Sequence, residues 1–123
     1  MARILIIEDS PTNMMLSVDV LENAGHTIFQ AIRASHGIDI AQRETLDLIL
    51  MDIQLPDMDG MEATSLLKAN PKTRNIPVIA LTASAMKGDR ERILEAGCDG
   101  YIEKPIRYKN FLSEVEALIS RKA

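Results

Sequence analysis

The sequence has one cysteine, Cys98, and no tryptophan. A single thiol rules out an internal disulfide framework and suits a reducing, cytoplasmic setting. There is no basic run, and the formal net charge is −4. The electrostatic footprint of a nucleic-acid binder is therefore missing, and no direct nucleic-acid partner is expected. No apolar stretch approaches the roughly 18 residues of a spanning helix, so membrane insertion is not expected. The opening MARILIIEDS meets acid at Glu8 and Asp9 before any leader-length apolar run, and no small-residue cleavage site follows. Internal repeats, low-complexity tracts and linkers are absent too. At 123 residues the chain is sized for one domain, 1–123. That length can bury a core without disulfides or metal staples.

Short apolar runs alternate with helical periodicity along the whole chain. Strands are expected at 3–7, 27–31, 47–51, 77–81 and 100–102, and helices from Pro11 to Gly25 and at 35–43, 60–69, 85–96 and 108–121. Ser10 and Pro11 suit a helix start, and Gly25 and Gly97 suit helix ends. Apolar stripes fall at Met14, Val18, Leu21 and Ala24, at Ala63, Leu66 and Leu67, and at Phe111, Val115, Leu118 and Ile119. The strands are near-continuously apolar, as strands buried on both faces are. Strict alternation with helices then implies right-handed βαβ crossovers and an α/β fold with a parallel sheet.

Ligands of such a sheet bind beyond the carboxyl ends of the strands. The residues there are Glu8 and Asp9 after the first strand, Asp52 after the third, Thr82 and Ala83 after the fourth, and Glu103, Lys104 and Pro105 after the fifth. Clustered carboxylates repel each other and raise each other's pKa. A hard divalent cation relieves them, and Mg²⁺ suits a site that supplies one or two carboxylates and leaves room for water and phosphate oxygens. Lys104 supplies a point charge for a phosphoryl group, Thr82 a hydrogen bond, and an aspartate beside a metal can itself be the nucleophile.

In this order and strand context, Glu8-Asp9, Asp52, Thr82-Ala83 and Lys104-Pro105 resemble the markers of the response-regulator receiver domains of two-component signalling. The resemblance covers essentially the whole chain. It implies a flavodoxin-like (βα)5 three-layer sandwich with strand order 2-1-3-4-5. It implies that Asp52 accepts a phosphoryl group from a phosphohistidine of a sensor histidine kinase or a histidine phosphotransfer protein. The domain is then a phosphoacceptor that catalyses its own phosphotransfer and slow dephosphorylation, not a conventional enzyme. Mg²⁺, with Mn²⁺ as a substitute, is expected on Asp9, Asp52 and the backbone carbonyl of Gln54, with Glu8 holding a coordinated water. Lys104 is expected to contact one phosphoryl oxygen and Thr82 another. Gln54 and Ser84 occupy the positions that tune hydrolysis, neither of them acidic. Ala83 leaves the site open, and Pro105 follows Lys104 through a bond that is cis in relatives. Thr82 and Tyr101 form the implied switch pair, acting on a surface of the fourth helix, fifth strand and fifth helix that meets a downstream protein target. The runs ILMDIQLPDMDGMEAT and IPVIALTASAMKGD are most similar to single-domain cell-cycle regulators and to hybrid-kinase receivers. Met1 directly before the first strand favours a stand-alone regulator over a receiver taken from a hybrid kinase.

Other classes fit less well. A haloacid-dehalogenase-like phosphohydrolase wants a second acid two residues after the nucleophile, where Gln54 stands. A flavin carrier wants a glycine- and hydroxyl-rich loop after the first strand, where EDSPTN is acidic and has no glycine. A receiver-like binding module without phosphorylation would have no need for the complete acceptor set. Plainer roles are assigned to the remaining residues. The methionines, Met14, Met15 and Met51 among them, are read as core filler, Cys98 as structural, His26 and His36 as surface residues, and Lys87–Arg92 as a solvated helix face.

Overall fold

The computed structural model describes residues 1–122, at positions 108, 121 and 122 the backbone only. The elements run β1 (Arg3–Ile7), α1 (Pro11–Asn23), β2 (Thr27–Ala31), α2 (Ala34–Arg43), β3 (Leu48–Asp52), α3 (Gly60–Ala69), β4 (Val78–Thr82), α4 (Lys87–Glu95), β5 (Gly100–Glu103) and α5 (Tyr108–Lys122). The five strands form one parallel sheet in the order β2-β1-β3-β4-β5. Among the described residues, no helix is long and apolar enough to cross a membrane.

Strand side chains alternate between the two faces of the sheet. Leu5, Ile7, Ile49, Met51, Val78 and Ala80 pack with Ile40 and Ala41 of α2, Ala63 and Leu67 of α3, and Ile93 of α4. Ile4, Ile6, Leu48, Leu50, Ile79 and Leu81 pack with Met14, Val18 and Leu21 of α1 and with Phe111 and Val115 of α5. Two helical layers thus enclose the sheet, and every residue of β3 and β4 is buried. Each fully buried aliphatic side chain contributes about 1.5–3 kcal/mol.

Several local expectations shift. β3 and β4 begin and end one residue later than the apolar runs suggest, because Asp52 pairs with Leu81 and Thr82 with Glu103 in the ladder. The polar residues at these strand ends are therefore held by the sheet itself. α4 starts at Lys87, two residues later than its sequence pattern indicates, and Met86 is an extended N-cap without a side-chain cap bond. Gly25 and Gly97 close α1 and α4 at positive φ, as expected. On α3 the buried face is Gly60, Ala63, Thr64 and Leu67, and Leu66 faces outward. Met15 on α1 is exposed rather than core filler. His26 is not a surface group. Its ring is 7% exposed, with Nδ1 accepting from the Ala2 N–H and Nε2 3.0 Å from Glu116 Oε2. His36 is exposed, as expected.

Candidate functional site

Sheet register brings the acidic residues together. Ile6 of β1 pairs with Leu50 of β3. Glu8 and Asp52 each follow by two residues, so the same alternation carries both to one side of adjacent strand ends. Asp9 adds a third carboxylate, and one oxygen from each of Glu8, Asp9 and Asp52 lies within 4.8 Å of the others. Glu8 and Asp52 are buried and Asp9 is exposed. Asp9 is not spent on capping α1, because Ser10 takes that role and its Oγ accepts from the Asn13 N–H at 3.3 Å.

Lys104 reaches this cluster from the end of β5. Its N–H donates to the Thr82 carbonyl at 2.7 Å, which extends the β4–β5 ladder. Its ammonium lies 3.1 Å from Glu8 Oε1 and 3.2 Å from Asp52 Oδ2. The Lys104–Pro105 peptide bond is cis. Burial pushes the Glu8 carboxyl up to about 7 and the adjacent Asp52 adds to this, against the Ser10 N–H and Lys104, which favour its charge. For Lys104, burial disfavours the charged form, but Glu8 and then Asp52 outweigh it and raise its pKa.

The loop after β3 is built around Gly60. The Gly60 N–H donates to the Ile53 carbonyl at 2.8 Å, and Gln54 bridges to Asp59. A Cβ on Gly60 would lie 2.2 Å from the Asp52 carbonyl oxygen and 2.8 Å from Ile53 Cα, so only glycine lets α3 start against the end of β3. Asp59 caps α3, accepting from the Met61 N–H at 2.7 Å. The Gln54 N–H donates to Asp52 Oδ1 at 3.1 Å.

Thr82 is buried beside this group. Its hydroxyl donates to the Ser84 carbonyl at 2.8 Å and accepts from the Ser84 N–H at 3.2 Å, so it does not cap α4. Ala83 is exposed and Ser84 half-buried. Tyr101 is half-buried and packs against the core beneath α2, α3 and α4. Pro105 is exposed and lines a separate small depression with Ile102 and Phe111. A cavity of about 560 Å³ joins Asp52, Gln54, Thr82, Ala83, Ser84 and Lys104 to Asp89 and Arg92 on α4.

Two residues of this region escape sequence reasoning. Asp57, in the loop after β3, accepts from the N–H groups of Ala34 and Ser35 at 2.8 and 2.9 Å, capping α2, whose own N-cap Arg33 supplies no side-chain bond. The Ser35 N–H, opposed by burial, and then the Ala34 N–H and Ser35 hydroxyl hold its carboxyl down at about 2. Asp89, in the first turn of α4, accepts from the Ser84 hydroxyl at 2.6 Å. Neither contact joins residues at a helical or hairpin spacing that marks it in the sequence.

The donor set is all oxygen, and buried Glu8 Oε1 receives no directed hydrogen bond among the described residues. Such a cluster fits a hard divalent cation. Taken together, the chain is a doubly wound α/β domain whose three acids and one lysine stand at the carboxyl edge of the sheet, where such folds bind their ligands. Residues 4–116 match the family model of the response regulator receiver domain, and the chain belongs to that family. It is 43% identical over 116 residues to the polar-differentiation response regulator DivK of Brucella anthropi, covering 94% of each chain. The receiver domain of the sensor histidine kinase PA1611 from Pseudomonas aeruginosa PAO1, solved with a magnesium ion in its active-site cleft, superposes with a TM-score of 0.85. It is 35% identical, with 98% of this chain and 95% of that chain covered. The Vibrio cholerae chemotaxis protein CheY4 shares the fold at a TM-score of 0.90 and 22% identity, over 95% of this chain and 98% of that one. The chain is thus a receiver domain of two-component signalling, a family whose members are generally not enzymes in the conventional sense.

Proposed function

We propose that the protein relays a signal by accepting a phosphoryl group on Asp52 from a phosphohistidine of a sensor histidine kinase or histidine phosphotransfer protein. The observation that carries this reading is the Lys104 ammonium set between the buried carboxylates of Glu8 and Asp52, with Asp9 completing the acidic rim. An Asp52 carboxylate oxygen attacks phosphorus, the P–N bond breaks, and its electron pair returns to the imidazole. Asp9, Asp52 and the Gln54 carbonyl would hold Mg²⁺, with Glu8 acting through a water. The ion supplies charge neutralisation for the transferring group. Phosphoryl transfer has a loose transition state with charge on the equatorial oxygens, so positioning and cations carry most of the catalysis.

Lys104 passes from its resting carboxylate partner to a phosphoryl oxygen. Thr82 gives up the Ser84 carbonyl and donates to another. Tyr101 follows into the space Thr82 leaves, and the surface of α4, β5 and α5 changes for a downstream protein target. Gln54 and Ser84 offer no carboxylate to activate a hydrolytic water, and exposed Ala83 leaves the phosphoryl site accessible. A receiver that belongs to a sensor histidine kinase, as the Pseudomonas neighbour does, is the alternative setting for the same proposed role.

Incubation with a small-molecule phosphodonor and Mg²⁺ tests the reading. The intact protein should gain the mass of one phosphoryl group, in a form cleaved by hydroxylamine as an acyl phosphate is. No gain would leave a receiver fold that works by binding alone, and a hydroxylamine-stable gain would place the phosphoryl group on a residue other than an aspartate.

A further inference from the structure

We propose that Asp89 is a positioning residue that latches the loop after β4 in the unphosphorylated arrangement, setting how readily Asp52 is phosphorylated. The inference rests on the phosphoacceptor reading of Asp52 and adds a residue to it. A chain of contacts leads from the site to α4. The Thr82 hydroxyl proton is given to the Ser84 carbonyl at 2.8 Å, and the Ser84 N–H returns a bond to the same hydroxyl at 3.2 Å. Ser84 is anchored in turn by its own hydroxyl, which donates to Asp89 Oδ2 at 2.6 Å. The bond is charge-assisted, short and half-buried, the kind that holds a loop in place. Beyond it, Arg92 Nη1 stands 3.9 Å from Asp89 Oδ1 with its side chain mostly exposed, so it competes weakly for the carboxylate. Thr82, Ser84, Asp89 and Arg92 line one cavity with Asp52 and Lys104.

The geometry sets the direction of the effect. Thr82 has one hydroxyl proton. To donate it to a phosphoryl oxygen on Asp52 it must release the Ser84 carbonyl, and Asp89 holds that carbonyl in place through the Ser84 side chain. The latch therefore stabilises the state that cannot bind the phosphoryl group. Removing it shifts the resting population toward the competent state, which raises the rate of phosphorylation. It also explains the late start of α4. Residues 83–86 stay non-helical while Ser84 spans from Thr82 to the first turn of the helix.

The test is the initial rate of labelling by a small phosphodonor at fixed Mg²⁺. Asp89→Ala should label about threefold to tenfold faster than the parent, the scale set by the net contribution of one typical intramolecular hydrogen bond. Ser84→Ala, which removes the same bond and leaves the helix charge intact, should be faster too. The double variant should be no faster than the quicker single one, because both remove one contact. Asp89→Asn keeps an acceptor for Ser84 and should fall between parent and Asp89→Ala. An Asp89→Asn rate equal to that of Asp89→Ala would assign the effect to repulsion of the anionic donor and overturn the latch. So would a Ser84→Ala rate at or below the parent's. A parent that does not label at all removes the underlying phosphoacceptor reading, whereas a labelling parent with unaccelerated variants removes the latch alone.

Discussion

The Lys104 ammonium stands 3.2 Å from Asp52 Oδ2, at the end of a strand that is not hydrogen-bonded to Asp52's own strand. β4 lies between them, and the ladder that pairs Asp52 with Leu81 and Leu81 with Ile102 fixes how far Lys104 must reach. The same ammonium is 3.1 Å from Glu8 Oε1, so one cation offsets two buried carboxylates.

Removing that cation should therefore destabilise the metal-free protein. Lys104→Ala leaves Glu8 and Asp52 side by side, with side chains 1% and 6% exposed. Breaking a fully buried pair costs about 3–5 kcal/mol, and the partial exposure of Lys104 scales this down to about 2–3 kcal/mol. Saturating Mg²⁺ should restore part of the loss, so the variant should show a larger Mg²⁺-dependent rise in Tm than the parent. Equal rises would mean that the lysine and the divalent cation do not answer the same charges.

The opposite sign is expected at Asp9. Asp9→Ala removes one of three clustered carboxylates, and the relief of repulsion should raise the metal-free Tm. Asp9 is exposed, so the gain is small, about 0.5 kcal/mol or about 2 °C. The Mg²⁺-dependent rise should disappear in the same variant. Thermal melts with and without Mg²⁺ read both effects, and an unchanged or lower metal-free Tm would show that the acidic rim is not crowded.

Gly60→Ala should be disruptive out of proportion to its size. The new methyl would meet backbone at 2.2 Å on the Asp52 carbonyl oxygen, where nothing can rotate away. Overpacking of this kind costs about 1–3 kcal/mol, and because the colliding atom belongs to Asp52, labelling should fall along with stability. Denaturant melts beside phosphodonor labelling check this. Exposed Gly88, where an added Cβ would meet open space, is the control and should tolerate alanine without loss.

Asp57 carries a pH-dependent contribution whose sign can be worked out. Its carboxyl sits at about 2 in the fold against an ordinary 3.8, so the folded state favours the charged form. The stabilisation is complete above about pH 4 and is lost as pH falls toward 2. Asp57→Ala should lower stability at neutral pH by about 1 kcal/mol, the usual loss at a helix cap. Parent and variant should converge in stability between pH 4 and pH 2. A difference that stayed constant through that window would assign the loss to something other than the charge on the cap.

The sheet and its order of elements were legible because each strand is a short apolar run bounded by a helix with its own periodicity. Glu8, Asp9, Asp52, Thr82 and Lys104 were legible for a related reason, since a parallel sheet puts all its strand ends on one edge. What escaped the sequence depends on tertiary placement. Asp57 caps a helix that precedes it in the chain, and Asp89 answers a serine in the preceding loop. His26 finds Ala2 and Glu116 only once the turn before β2 is brought beside α5 and the start of β1. Leu66 and Met15 have apolar side chains at helical spacing yet fall on the flanks of their helices, where periodicity alone does not separate inward from outward.

The identity of the phosphorylated residue tests the account most directly. Parent and Asp52→Asn proteins, both shown to be folded, are incubated with a small phosphodonor and Mg²⁺, and phosphoryl incorporation is followed by intact mass. The parent should label and Asp52→Asn should not. Lys104 is set against Asp52, Asp9 is an exposed group of the rim, and Glu8 is held by that lysine and the Ser10 N–H. Equal labelling of Asp52→Asn and parent would contradict the central claim.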